Sequence, residues 1–168
     1  MKKASKGMKY TRRGAGVCSL SNVDGCRDAD IIIPEQILFK GRVIEIDNYS
    51  FRNNAQIKSV VIPEGTVSIG DYAFECCSAL EKVYLPESLI SIGEGAFSGC
   101  AQMVMADLQD GVESIGKGAF LFCSSLLFVQ MPASLKEIGE FAFADCSSLS
   151  KVVFRGNEIT ALPDRAFL

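Results

Sequence analysis

The sequence predicts a repeat solenoid of α/β type, with a parallel β-sheet on one face and turns or short helical turns on the other. Three observations carry this. The string "IGEGAFSGC" at residues 92–100 recurs as "IGDYAFECC" (69–77), "IGKGAFLFC" (115–123) and "IGEFAFADC" (138–146). Phenylalanine falls at Phe51, Phe74, Phe97, Phe120, Phe143 and Phe167, so the period is 23 residues four times and then 24. Other apolar columns keep the same step, among them Ile46, Ile69, Ile92, Ile115, Ile138 and Leu162, and Val60, Val83, Ala106, Val129 and Val152. A fixed period in this range marks a stack of repeats, because one unit cannot bury its apolar columns alone.

Residues 1–14 carry six of the 17 basic residues and none of the 20 acids, leaving 11 bases against 20 acids, a net −9, over residues 15–168. The basic stretch reads as a solvated, disordered leader. "MKK" is followed by "ASKGMKYTRRGAG", which has no apolar run, so no signal peptide is read in this chain. Residues 15–42 read as an N-terminal cap and first strand. Repeats follow at 43–66, 67–89, 90–112, 113–135 and 136–159, with a partial unit at 160–168.

Within a unit, "LEKVYLP" (80–86) alternates loosely and is rich in β-formers, so it reads as a short strand. Pro86 ends it, as Pro63 and Pro132 do elsewhere, since proline cannot donate to a ladder. "GAFSGCAQM" (95–103) is too short for a long helix and reads as a turn or one helical turn. Gly70, Gly93, Gly116 and Gly139 follow the repeat isoleucine and either take a positive φ or admit a close neighbour. Stacking would place the strands about 4.8 Å apart in one parallel sheet.

The recurrent pattern L-x-x-V-x-[LM]-P-x-x-L-x-x-I-G-x-x-A-F-x-x-C resembles the BspA-like leucine-rich repeats (the LRR_5 type) over roughly residues 43–168. That resemblance implies a right-handed leucine-rich-repeat coil and a setting at the cell surface or in secretion, linked to adhesion and host interaction. The chain departs from the pattern at "MVMADLQDGVESIG" (103–116), where Gln109 replaces proline and Ala106 replaces valine. It departs again at "FRGNEITALPDRAF" (154–167).

Histidine is absent, which removes the usual general base, the usual zinc ligand and every Ser/His or Cys/His pair. Cys77, Cys100, Cys123 and Cys146 stand three residues after the repeat phenylalanine, and Asn54 takes that place in the first unit. They read as a structural ladder of buried donors to backbone carbonyls where the coil turns. Ligands strung along an axis do not converge as a tetrahedral metal needs, so neither metal nor cofactor is expected. Cys76 lies off the ladder. A disulfide between Cys18 and Cys26 would suit a stapled cap in an exported protein.

Residues between the core columns of each strand point outward. In the middle units these are Tyr84, Val104, Met105, Asp107, Leu127, Phe128 and Gln130, where neighbouring units carry mainly polar residues. Apolar side chains at solvent positions mark a partner surface. Leu121 and Phe122 are a second anomaly, on the turn side, and read as either a second contact or local packing. The register carries one risk: a slip of one residue would turn the whole set into core.

The expected function is a non-catalytic binding module for a protein or cell-surface ligand, adhesin-like by resemblance. The alternative is an intracellular scaffold that self-associates. The chain ends at "DRAFL" inside a unit, so either a longer protein continues or self-association masks the end. An acidic body makes nucleic acid a poor partner, and no apolar run is long enough to span a membrane. Asp107 and Asp110 are carboxylates on an open surface, without the sheltered pocket that acid/base catalysis needs, so no enzyme is expected.

Overall fold

The computed structural model describes residues 5–23, 26–37, 40–156, 162–163 and 165–168. The first four residues of the basic leader and residues 157–161 of the last repeats lie outside the described residues. The chain begins with Lys9–Gly14 (β1), Val17–Asn22 (β2), Asp30–Ile32 (β3), Gln36–Ile37 (β4) and Gly41–Ile46 (β5). Each later unit adds one strand of three or four residues and one of two. These are Ser59–Val61 (β6), Ser68–Ile69 (β7), Lys82–Tyr84 (β8), Ser91–Ile92 (β9), Met105–Asp107 (β10), Ser114–Ile115 (β11), Phe128–Met131 (β12), Glu137–Ile138 (β13) and Lys151–Phe154 (β14).

The coil therefore carries two parallel stacks rather than one. The two-residue strands follow β5 in the order β5-β7-β9-β11-β13, and β2 joins them alongside β5. The longer strands form the other stack, in two halves, β3-β6-β8 and β10-β12-β14. Register follows the sequence period, with Ile69 opposite Ile92 and Val60 opposite Val83.

Of the turns or short helical turns expected on the opposite side, turns form and helical turns do not. No described residue is helical, so the α/β assignment gives way to a β-solenoid. The hydrogen bonds explain why. An α-helix sends each N–H back four residues. Here the N–H groups of Tyr72, Phe74 and Cys76 reach the next unit, to the carbonyls of Glu94, Ala96 and Ser98 at 2.7, 2.7 and 2.8 Å. The alternate groups, Ala73, Glu75 and Cys77, turn back three residues to Gly70, Tyr72 and Phe74. Tyr72 and Cys76 sit at φ of 55° and 57°, left-handed values that no right-handed helix contains.

Under this turn lies the phenylalanine column. Successive rings from Phe51 to Phe167 stack 4.5–5.3 Å apart and within 16° of parallel. The repeat glycines permit the close approach of units and do not take positive φ. A Cβ on Gly116 would lie 2.5 Å from the Gly93 carbonyl carbon, and one on Gly139 would lie 2.3 Å from the Lys117 nitrogen.

Two further readings are corrected, and the cysteine pairing left open by the sequence is answered. Residues 9–14, assigned to a disordered leader, form β1, paired antiparallel with β2. The Arg13 guanidinium donates to Ser19 Oγ at 2.8 Å and pairs with Asp47, so the basic stretch is held by the acidic body. Cys18 and Cys26 are free buried thiols, and the Cys18 thiol lies 3.7 Å from the Gly41 carbonyl. Leu162, placed in a core column, is 46% exposed.

Candidate functional site

Strand alternation decides what the longer-strand stack shows. Val60, Ala106 and Val129 point inward and are buried. Their neighbours point out. Tyr84 on β8 is 55% exposed and Met105 on β10 53%; Val104 and Leu127, the residues just ahead of β10 and β12, are 47% and 49% exposed, so four large apolar side chains stand half in solvent on this face. Met105 lies opposite Phe128 and Asp107 opposite Gln130 in the β10–β12 pair. Phe128 is half-buried, with the Lys151 ammonium 5.9 Å from its ring centre. Gln130 is also half-buried and, with its amide oxygen turned to the guanidinium, accepts from Arg155, which pairs with Asp110 at 3.2 Å. Asp107 is exposed.

A cleft of about 450 Å³ runs through this face. Its walls include Val83, Tyr84, Leu85, Val104 and Met105, with Glu81, Lys82, Asp107 and Gln109 around them. It lies where β8 and β10 fail to pair. This is the unit in which Ala106 and Gln109 depart from the repeat. Val83 and Leu85, in core columns, are only partly buried here. Sequence reasoning found the departure but not the opening it makes.

The cysteine ladder is structural in geometry. The thiols of Cys77, Cys100, Cys123 and Cys146 donate to the carbonyls of Phe51, Phe74, Phe97 and Phe120 at 3.1, 3.3, 3.2 and 3.2 Å. Burial pushes Cys77 up to about 12 and Cys146 up to about 11, and raises Cys100 and Cys123 as well. A thiol held protonated is a poor nucleophile and a poor ligand. Asn54 does not copy this bond. It is half-buried and accepts from the Gln56 N–H through its side-chain oxygen at 3.1 Å. Among the described residues, no group of three or more Cys, Asp or Glu could hold a metal. Cys76 is exposed. A thiol reagent is therefore expected to modify Cys76 rapidly in the native protein and the ladder cysteines only on unfolding. Peptide mapping of the labelled protein checks this, and rapid native labelling of Cys100 would contradict it.

The rung geometry, with its phenylalanine stack, glycine contacts and thiol-to-carbonyl bonds, meets a matching description among known proteins. The repeat described as "BspA type Leucine rich repeat region" matches residues 44–168 in six copies. The chain belongs to the BspA-type leucine-rich repeat family. Solved structures agree. The leucine-rich repeat protein of T. pallidum (TpLRR) superimposes with a TM-score of 0.85 at 28% identity, over 90% of this chain and 71% of that one. A leucine-rich repeat protein from Bacteroides ovatus gives 0.80 at 28% identity, over 91% of this chain and 41% of that one. The pneumococcal vaccine antigen PcpA gives 0.60 at 18% identity, over 91% of this chain and 48% of that one, and shares the fold. No curated protein matches the chain.

On the turn side of this BspA-type coil, Leu121 is half-buried and Phe122 is 55% exposed at a φ of 60°. A hollow of about 440 Å³ beside them is lined also by Tyr72, Gly95, Gly118 and Phe141. The hollow arises within one left-handed column. Tyr49 and Tyr72 stack 5.6 Å apart in it, and Gly95 and Gly118 then interrupt the aromatic row before Phe141. Sequence reasoning missed this column because its residues, Tyr, Tyr, Gly, Gly and Phe, share no type. Among the described residues, no helix is long and apolar enough to cross a membrane.

Proposed function

We propose that the chain is a non-catalytic binding module of adhesin-like type, which recognises a protein or cell-surface ligand through the face of its longer strands. The observation that carries this is the half-exposed group Tyr84, Val104, Met105 and Leu127 beside Phe128. Single exposed apolar residues are ordinary; a contiguous set with aromatics and methionine is the composition of an interface centre. Asp107 and Gln130 supply polar contacts at its edge, and Leu121 and Phe122 would form a second contact. Repeat proteins of this family serve as binding scaffolds, and the shape of a repeat fold leaves the choice of ligand to such variable positions.

The test uses Met105→Glu/Phe128→Glu beside the wild type, with circular dichroism and melting first shown to match. In pull-downs from host extracellular and same-cell extracts, the wild type is expected to retain a partner that the variant loses. Equal capture by both would move the site away from this face. Solution mass separates recognition of another molecule from self-association: a scaffold would be oligomeric in wild type and monomeric in the variant.

A further inference from the structure

We infer that the hollow on the turn side seats an arginine side chain of the partner, with its guanidinium against the Phe122 ring and toward the Glu94 carboxylate. This rests on the second contact of the reading above, gives it a ligand chemistry, and is separable from the strand face. The first observation is where the strained backbone lies. Among the described residues, seven other than glycine take a left-handed φ, and four of them, Tyr72, Cys76, Phe122 and Phe141, line this one hollow of about 440 Å³. Bulky residues are rare at such angles, and strain of this kind collects at functional sites. The turn needs the angle at residue 122, whose N–H bonds the Ala144 carbonyl at 3.0 Å, but it does not need phenylalanine there. One unit away on either side, in the same column, stand Gly99 and Asp145, residues that tolerate a positive φ. Phe122 gains little burial in exchange, being 55% exposed. Among the described residues no other ring stacks on it and no cation of the chain lies over it.

The second observation is what the neighbouring rings hold. At both ends of the interrupted aromatic column a guanidinium lies over a ring: Arg52 is 5.3 Å from the centre of Tyr49, and Arg165 is 5.8 Å from the centre of Phe141. Both are cation–π distances, and arginine is the commoner cation in such contacts. Charge supplies the third observation. Of the ionised groups lining the hollow, Glu75 is paired with Arg52. Lys117, 6.0 Å from the centre of the Phe141 ring, is paired with Glu140 at 3.7 Å. Glu94 accepts a hydrogen bond from the Tyr72 hydroxyl but has no cationic partner among the described residues. One carboxylate of the hollow is therefore uncompensated. Its hydrogen bond, with burial and the charges of Glu94 and Glu75, pushes the Tyr72 hydroxyl up to about 12. A planar cation on a methylene stem fits these walls. The Phe122 ring takes the plane of the guanidinium, Glu94 takes its N–H groups, and Leu121 offers an apolar wall to the stem.

The blocked tripeptide acetyl-Gly-Arg-Gly-amide serves as the probe, titrated into the protein and followed by the shifts of its backbone amides in NMR spectra. The same peptide with citrulline keeps the shape and loses the charge. The arginine peptide is expected to saturate with a Kd of about 10 mM or tighter, and the citrulline peptide to bind about fivefold or more weakly. Phe122→Gly, which gives this turn the residue found at Gly99, is expected to melt near the wild type and to lose about fivefold or more in affinity for the arginine peptide. Glu94→Gln is expected to lose about threefold or more. Absence of saturation, equal binding of the two peptides, or unchanged binding by Phe122→Gly overturns the inference. Should Phe122→Gly fail to fold, Glu94→Gln decides, and unchanged affinity there overturns it. Met105→Glu/Phe128→Glu is expected to bind the arginine peptide no more weakly than the wild type. Loss of binding in that variant alone places the cation on the strand face, which overturns the hollow and leaves the face reading standing. Failure of the peptide to bind, while the face variant still loses its pulled-down partner, does the same.

Discussion

Phe97→Ala is expected to destabilise the protein by about 3–5 kcal/mol, the scale of removing a fully buried aromatic ring. Phe97 is 1% exposed and lies mid-column, with ring centres 5.0 Å from Phe74 and 5.3 Å from Phe120. Its removal opens a void that neither neighbour can fill, since both are fixed by their own stacking partners. The loss reaches two unit interfaces at once, and in a solenoid those interfaces carry most of the cooperativity. Against a total stability of ~5–15 kcal/mol for an ordinary domain, such a change removes a large share. Phe167→Ala, with a stacking neighbour on one side at Phe143 and a half-buried ring, should cost clearly less. Urea unfolding of both variants decides the matter. A Phe97→Ala cost under about 1 kcal/mol, or one equal to that of Phe167→Ala, would show that the column is not what holds the coil.

The readable parts of the sequence are those in which every unit solves the same problem with the same residue. Phenylalanine recurs because each ring must cover the last, and the cysteine recurs because each must reach a buried carbonyl one unit back. Alternation in the longer strands placed Val60 and Val129 inward and Met105 outward for the same reason. What stayed hidden depends on relations between units rather than on residue type. The turn side reads as either a turn or one helical turn, because its stretch is small-residue-rich and too short for a long helix. The bonds that forbid a helix go to a neighbouring unit, and no single stretch encodes them. Left-handed φ values at Tyr49 and Tyr72 are held by that same inter-unit bonding, against the preference of bulky residues. In β1, composition misled: Arg12 and Arg13 looked like solvated tail, but the charge on Arg13 meets Glu45 and Asp47 of the acidic body. The departures at Ala106 and Gln109 were visible as letters. Their consequence, two strands with no ladder between them, appears only when the register of both is known.

Gly116→Ala should cost about 3 kcal/mol, near the upper end for forcing one extra carbon into a packed interior. The added Cβ would lie 2.5 Å from the Gly93 carbonyl carbon and 2.6 Å from the Glu94 nitrogen. These are backbone atoms, so no rotamer change can relieve the contact. Relief requires the two units to separate where the Gly116 N–H bonds the Ile92 carbonyl at 2.8 Å, and where Ile115 pairs with Ile92 in the β9–β11 register. Gly118→Ala is the informative comparison. Gly118 takes a φ of 58°, but a Cβ there meets only the Leu121 side chain, at 3.6 Å or more. Its cost is conformational, about 1 kcal/mol. The two glycines stand two residues apart in one turn and serve opposite purposes, one for inter-unit contact and one for backbone angle. Thermal unfolding of the pair tests that division. If Gly118→Ala proves the more damaging, the separation between units is not set by the glycine contacts, and the left-handed column governs the turn. If Gly116→Ala dominates, the column Gly70, Gly93, Gly116 and Gly139 sets how closely the units stack.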